Sequence, residues 1–127
     1  MIDTETLEVE TINTKTTTVV DHVESLYPET TELFKKIQKE QYELFCLKQS
    51  NYGPDNISLG TDLTRKEDRK MSQTGLWFRM NDKIQRLKQL IVLGNKDNVG
   101  ESVVDTYQDL SVYGVICQIV KEGKWGK

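Results

Sequence analysis

The sequence contains few of the residues that build metal sites, disulfide frameworks or histidine-based active sites. It has two cysteines, two prolines and one histidine in 127 residues. Cys46 and Cys117 lack metal-type spacing, so we expect two small core residues in a reducing cytosol and neither a zinc site nor a disulfide framework. His22 is the only histidine, and a lone histidine is more often an ordinary surface or core residue than a catalyst, so we assign it no role.

A basic excess, a membrane-length apolar run and a secretory leader are also missing. The 17 basic and 20 acidic side chains give a net charge of −3, which argues against a general nucleic-acid-binding protein. No apolar stretch is long enough to span a bilayer, and the first residues lack the basic start and apolar core of a signal peptide. We therefore expect a cytoplasmic protein with one main domain.

Threonine and glutamate dominate the N-terminal residues. Leu7 and Val9 alternate with Glu8 and Glu10, and Thr16–Val20 has high β propensity. This pattern predicts an N-terminal arm over residues 1–24 that is mobile or forms short strands. Residues 25–127 are then a single helical domain.

Three amphipathic helices are predicted in that domain. The first begins at Pro28 and runs to about Ser50, with an apolar face of Leu33, Ile37, Leu44 and Leu47 that also contains Glu40. A long loop follows, in which the pattern is compatible with a short helix within residues 62–72. The second main helix covers Leu76–Leu93, with Met80, Ile84, Leu87 and Ile91 as its core stripe. The third covers about Val99–Val120. The predicted class is all-α, a bundle of three main helices completed by oligomerisation because the polar stripes leave a thin core.

Two charged stripes distinguish the last two helices. Glu101, Asp105 and Asp109 recur at four-residue spacing and form one face, which continues as Val112, Ile116 and Val120. The second helix carries Arg79, Asp82, Lys83 and Arg86 on a separate stripe. The short turn between the helices predicts antiparallel packing, with Arg86 level with Asp105, Lys83 with Asp109 and Arg79 with Tyr113.

Two interpretations of these stripes remain open. The carboxylates, with Glu40 or Asp82, form a hard oxygen site for Mg²⁺, while Lys48, Arg79, Lys83 and Arg86 neutralise phosphates. Alternatively, the two stripes pair with each other in an intramolecular salt-bridge lattice.

Two blocks carry a family resemblance, Arg79-x-x-Asp82-Lys83-x-x-Arg86 and Glu101-x-x-x-Asp105-x-x-x-Asp109, together with Lys48 and Tyr52-Gly53. In these residues the chain resembles the helical nucleotide-modification-associated family (type 1) found mainly in bacteriophages, over about Leu44–Trp125. A looser similarity links it to the all-α nucleoside triphosphate pyrophosphohydrolases, the MazG and dimeric dUTPase group. Their Glu-x-x-Glu spacing fits Glu40 and Glu43, whereas Glu101 to Asp105 is one residue longer than their second motif.

The resemblance implies a phage protein in the cytoplasm of the infected host that binds a nucleotide, either as a Mg²⁺-dependent phosphohydrolase or as a non-catalytic sponge that sequesters a nucleotide immune signal. A third possibility is a scaffold partner of a nucleotide-modifying enzyme. The expected metal ligands are Glu101, Asp105 and Asp109 with Glu40 or Asp82. The expected ligand-binding residues are Lys48, Tyr52, Arg79, Lys83, Arg86 and Tyr113, with the two tyrosines stacking on a base.

Overall fold

The computed structural model describes the backbone of residues 4–127 and the side chains of residues 13–127. It contains helices α1 (Thr4–Leu26), α2 (Pro28–Tyr52), α3 (Asp55–Ser58), α4 (Lys66–Leu87) and α5 (Val103–Lys121), and a π-helical turn over Lys88–Val92 continues α4. Residues 4–127 contain no strand, so the predicted all-α class is confirmed. Within this described part of the chain, no helix has the length and apolarity needed to cross a membrane.

The prediction of a mobile or β-like arm at the N-terminus is wrong for the residues that the structure describes, because α1 covers them. Its threonines fit a helix by donating to the carbonyl groups one turn earlier: the hydroxyls of Thr17 and Thr18 lie 2.9 Å from the carbonyl oxygens of Asn13 and Thr14. This bond satisfies the hydroxyl within the helix, so a threonine-rich segment is compatible with helical structure.

Tyr27 separates α1 from α2. The Tyr27 amide still donates to Val23 at 2.9 Å, and the Tyr27 carbonyl accepts from Thr31 at 3.1 Å, so one residue both ends α1 and begins α2. Pro28 has no amide hydrogen, and the first turn of a helix is where that loss costs least. The predicted start of this helix is therefore confirmed. None of the side chains of α2 is buried.

The chain divides into two compact units, Met1–Tyr42 and Glu43–Lys127. The second unit holds a hydrophobic core made by α3, the loop that follows it, α4, α5 and the C-terminal residues. This core consists of Ile57, Leu63, Leu76, Ile116, Val120 and Trp125. Trp125 closes one end of this core, where its indole N–H donates to the Pro54 carbonyl at 3.0 Å and its ring meets Phe45 edge-on.

Helix α4 begins ten residues earlier than its predicted start at Leu76, and its buried residues differ from the predicted stripe. Ser72 and Leu76 are buried, whereas Ile84 and Ile91 are exposed. The Ser72 hydroxyl donates to the Ile57 carbonyl at 2.7 Å, which fixes the first half of α4 on α3. In the second half of α4, the basic side chains Lys83 and Arg86 face α5 and the loop before it. The predicted apolar stripe is therefore rotated away from α5, which leaves Ile84 and Ile91 exposed.

Candidate functional site

Lys83 joins the two helices at the centre of the charged network. Its ammonium nitrogen lies 3.0 Å from an Asp109 carboxylate oxygen and 3.3 Å from a Glu101 oxygen. These two hydrogen bonds, that to Asp109 first, raise the pKa of Lys83 above its ordinary value. The pairing of Lys83 with Asp109 agrees with the predicted antiparallel register of α4 and α5.

Arg86, one turn further along α4, contacts the residues that lead into α5. Its guanidinium lies 3.2 Å from an Asp97 oxygen and 3.7 Å from a Glu101 carboxylate oxygen, and it also donates to the Glu101 carbonyl. Its Nε donates to the Thr106 hydroxyl at 3.3 Å. Thr106 is fully buried, whereas Asp105, which we expected at this level, is exposed. Helix α5 therefore keeps Asp109 on the side that faces α4, as predicted, but it is rotated by part of a turn, so that Thr106 takes the place expected for Asp105.

Asp97 and Ser102 shape the loop that carries Glu101. An Asp97 oxygen accepts from the backbone amides of Val99 at 3.0 Å and Gly100 at 3.2 Å, and these bonds, with Arg86, lower the pKa of Asp97. The Ser102 hydroxyl accepts from the Val104 amide at 3.1 Å and caps α5. The sequence analysis did not identify either residue. Both are recognisable local signals, because the side chain of an aspartate in a turn often accepts from the amide two residues later, and a serine often caps the start of a helix.

Most other predicted site residues lie outside this network. Arg79 donates to the Asn56 carbonyl at 2.9 Å, and Tyr113 packs beside the core. Glu40 belongs to the first unit, where it pairs with Lys36 at 3.9 Å. The remaining members are exposed side chains on α2, α4 and α5: Lys48, Tyr52, Asp82 and Asp105.

The acidic residues of the network contact basic side chains. Among the described residues, no group of three or more histidine, cysteine, aspartate or glutamate side chains is placed to hold a metal ion. Glu101 and Asp109 both contact the Lys83 ammonium group, so a positive charge already lies between them. This geometry fits a salt-bridge network better than a Mg²⁺ site.

A small cavity of about 280 Å³ lies at the other end of the second unit. Its walls come from the end of α2, the following turn and the C-terminus, namely Gln49, Gly53, Pro54, Trp125 and Gly126. Tyr52, which was predicted to stack on a base, precedes the lining residue Gly53 in the chain but is not itself part of the lining.

Comparison with known proteins yields no relative: no family model, curated protein or solved structure matches the chain.

Proposed function

We propose that the Lys83–Arg86 network binds the phosphate groups of a nucleotide or nucleotide-derived small molecule. The observation that supports this proposal is the sharing of Glu101 by two cations, whose side chains are 22% and 17% exposed. Cations at this depth are only partly screened by water, and both arginine and lysine form charge-assisted hydrogen bonds with phosphate as they do with carboxylate.

Ligand binding would proceed by exchange of one anion for another. Glu101 is the most exposed of the three carboxylates in the network and precedes α5 in a loop. A phosphate group that replaces the Glu101 carboxylate can accept from Lys83 and Arg86 together. Asp97 and Asp109 remain in place and keep both cations oriented.

A metal-free binding protein is better supported than a Mg²⁺-dependent phosphohydrolase. A Mg²⁺-dependent phosphohydrolase uses the metal to orient water and to neutralise developing charge. Glu101, Asp105 and Asp109 would have to hold that Mg²⁺, which requires Lys83 to leave both of its partners. A protein that only sequesters a nucleotide signal during phage infection of a bacterial cell needs the two cations alone.

A scaffold role in a complex with a nucleotide-modifying enzyme is the second candidate function. The observation that favours it is the exposed pair Trp77 and Phe78 on α4, whose rings meet edge-on with centroids 5.2 Å apart. Exposed aromatic residues at such a position are typical of protein-binding surfaces. In that case the charged network would serve only to join α4 and α5.

The proposal can be tested by a thermal-shift screen with nucleoside mono-, di- and triphosphates and cyclic oligonucleotides, with and without Mg²⁺. A ligand at a hundred times its dissociation constant adds about 2.7 kcal/mol to the free energy of unfolding. We expect a metal-independent upward shift for at least one phosphate-bearing ligand.

The matched variants are Lys83→Met, which removes one cation of the network, and Lys88→Met, which removes an exposed lysine outside it. The ligand-induced shift should vanish in the first variant and persist in the second. A shift that requires Mg²⁺, with release of pyrophosphate, would favour the hydrolase. No shift with any nucleotide would refute binding and favour the scaffold.

A further inference from the structure

Helix α2 carries an apolar stripe that is mostly exposed in the described part of the chain. Leu33, Ile37 and Leu47 are exposed, Leu44 is half-buried, and Phe34 borders the stripe as a further exposed ring. An amphipathic helix obtains most of its stability from packing this face, so a helix of 25 residues with no buried side chain lacks its main source of stabilisation.

We propose that α2 pairs in an antiparallel manner with α2 of a second copy of the chain. The stripe follows a seven-residue repeat: Thr30, Ile37 and Leu44 occupy one seam position, and Leu33, Glu40 and Leu47 occupy the other. Such a repeat is self-complementary, because two identical helices can insert each seam residue between residues of the partner.

Charge decides the orientation. In a parallel pair the Glu40 residues of the two copies would face each other at the seam. Glu43 would then form an attractive pair with Lys48 of the other copy at the border, meaning the positions that flank the seam. In the antiparallel pair we place Ile37 beside Glu40 of the second copy. In this register Leu33 packs on Leu44 of the second copy, and Lys36 lies next to its Glu43. Symmetry forms this attractive border pair twice and places the two Glu40 carboxylates in successive layers of the seam instead of in the same layer.

The size of the contact places it among weak, transient interfaces. Burying the apolar side chains of two stripes would remove on the order of 1,000 Å² of surface from water, which is the lower end for specific interfaces. We therefore expect a reversible dimer whose population rises with protein concentration, rather than a permanent one.

Sedimentation equilibrium of the full chain over a range of concentrations tests the proposal. The wild type should show a monomer–dimer equilibrium. Ile37→Asp should weaken association at least tenfold, whereas Lys39→Glu, on the opposite side of α2, should leave it within twofold of the wild type. Circular dichroism of each variant establishes that the helices are retained, since none of these residues belongs to the core.

Charge reversal tests the orientation separately. Lys36→Glu and Glu43→Lys should each weaken the dimer several-fold, and the double variant should restore most of the association because the border pair is re-formed with its charges exchanged. A double variant as weak as Glu43→Lys alone would overturn the antiparallel arrangement, since a parallel pair would place the introduced lysine against Lys48 of the other copy. A wild type that is monomeric at every concentration, or a dimer insensitive to Ile37→Asp, would overturn the interface itself.

Discussion

At the scale of single residues, Leu59 and Leu63 share an unfavourable backbone conformation and differ in their burial. Both have positive φ, 55° and 61°, a region that non-glycine residues rarely adopt. Leu63 is 0% exposed, whereas Leu59 is 55% exposed. Packing of the Leu63 side chain into the core therefore offsets the strain of its backbone, while Leu59 receives no such compensation.

We predict that Leu63→Ala lowers the free energy of unfolding by about 2–5 kcal/mol, the range for truncating a fully buried leucine. Leu59→Ala, at the matched backbone conformation, should cost less than about 1 kcal/mol because little apolar surface is lost. Urea titration followed by circular dichroism measures both values. Equal losses in the two variants would show that the turn, and not the core contact, limits stability here.

At the scale of elements, Asp97 connects the loop before α5 to α4. Its pKa lies below the ordinary value of 3.8 because the carboxylate accepts from Val99 and Gly100 and pairs with Arg86. A lowered pKa in the folded state means that the ionised form stabilises the fold. This contribution is present at pH values above 3.8 and is lost as the pH falls through the folded-state pKa.

We expect Asp97→Asn to be less stable than the wild type at neutral pH, since asparagine retains an acceptor oxygen but loses the charge that faces Arg86. The difference in the free energy of unfolding should shrink as the pH falls toward and below 3.8. Asp82→Asn, which alters an exposed carboxylate of α4, serves as the control. A difference that stays constant across this pH range would contradict the charge argument.

The helices also show which sequence signals are sufficient to predict a helix boundary or a contact between helices. Pro28 predicts the start of α2, and the short turn after α4 predicts the antiparallel pair with Lys83 beside Asp109. Residues 65–70 carry mixed charges without apolar periodicity, so the pattern allows a short helix there but does not show that it continues into the second predicted helix. The contact of Arg86 with Thr106 in place of Asp105 depends on a partial rotation of α5, which tertiary packing decides and spacing alone does not.

At the scale of the whole molecule, the described side chains of the first unit are largely exposed, whereas the second unit contains the core. Isolated helices open readily because their amides have no tertiary packing to keep them closed. We predict that, in dilute monomeric protein, amides near Ile37 exchange with deuterium far faster than amides near Ile116 and Val120.

Hydrogen exchange followed by mass spectrometry or NMR measures this contrast, and the first turn of α5 provides an internal reference for a fraying helix end. Equal protection in α2 and α5 would mean that the first unit is stabilised as strongly as the core. Raising the protein concentration should slow exchange in α2 selectively if the proposed pairing forms.

The burial of Trp125 also has a consequence for the intrinsic tryptophan fluorescence of the protein. Its two tryptophans are in opposite environments: Trp125 is 5% exposed with its N–H bonded to a carbonyl, and Trp77 is 56% exposed on the outer side of α4. Trp125 should therefore emit at shorter wavelength and resist aqueous quenchers, while Trp77 emits at longer wavelength and is quenched readily. Unfolding of the core and occupation of the outer surface of α4 can then be followed as two separate fluorescence signals, without attaching a label.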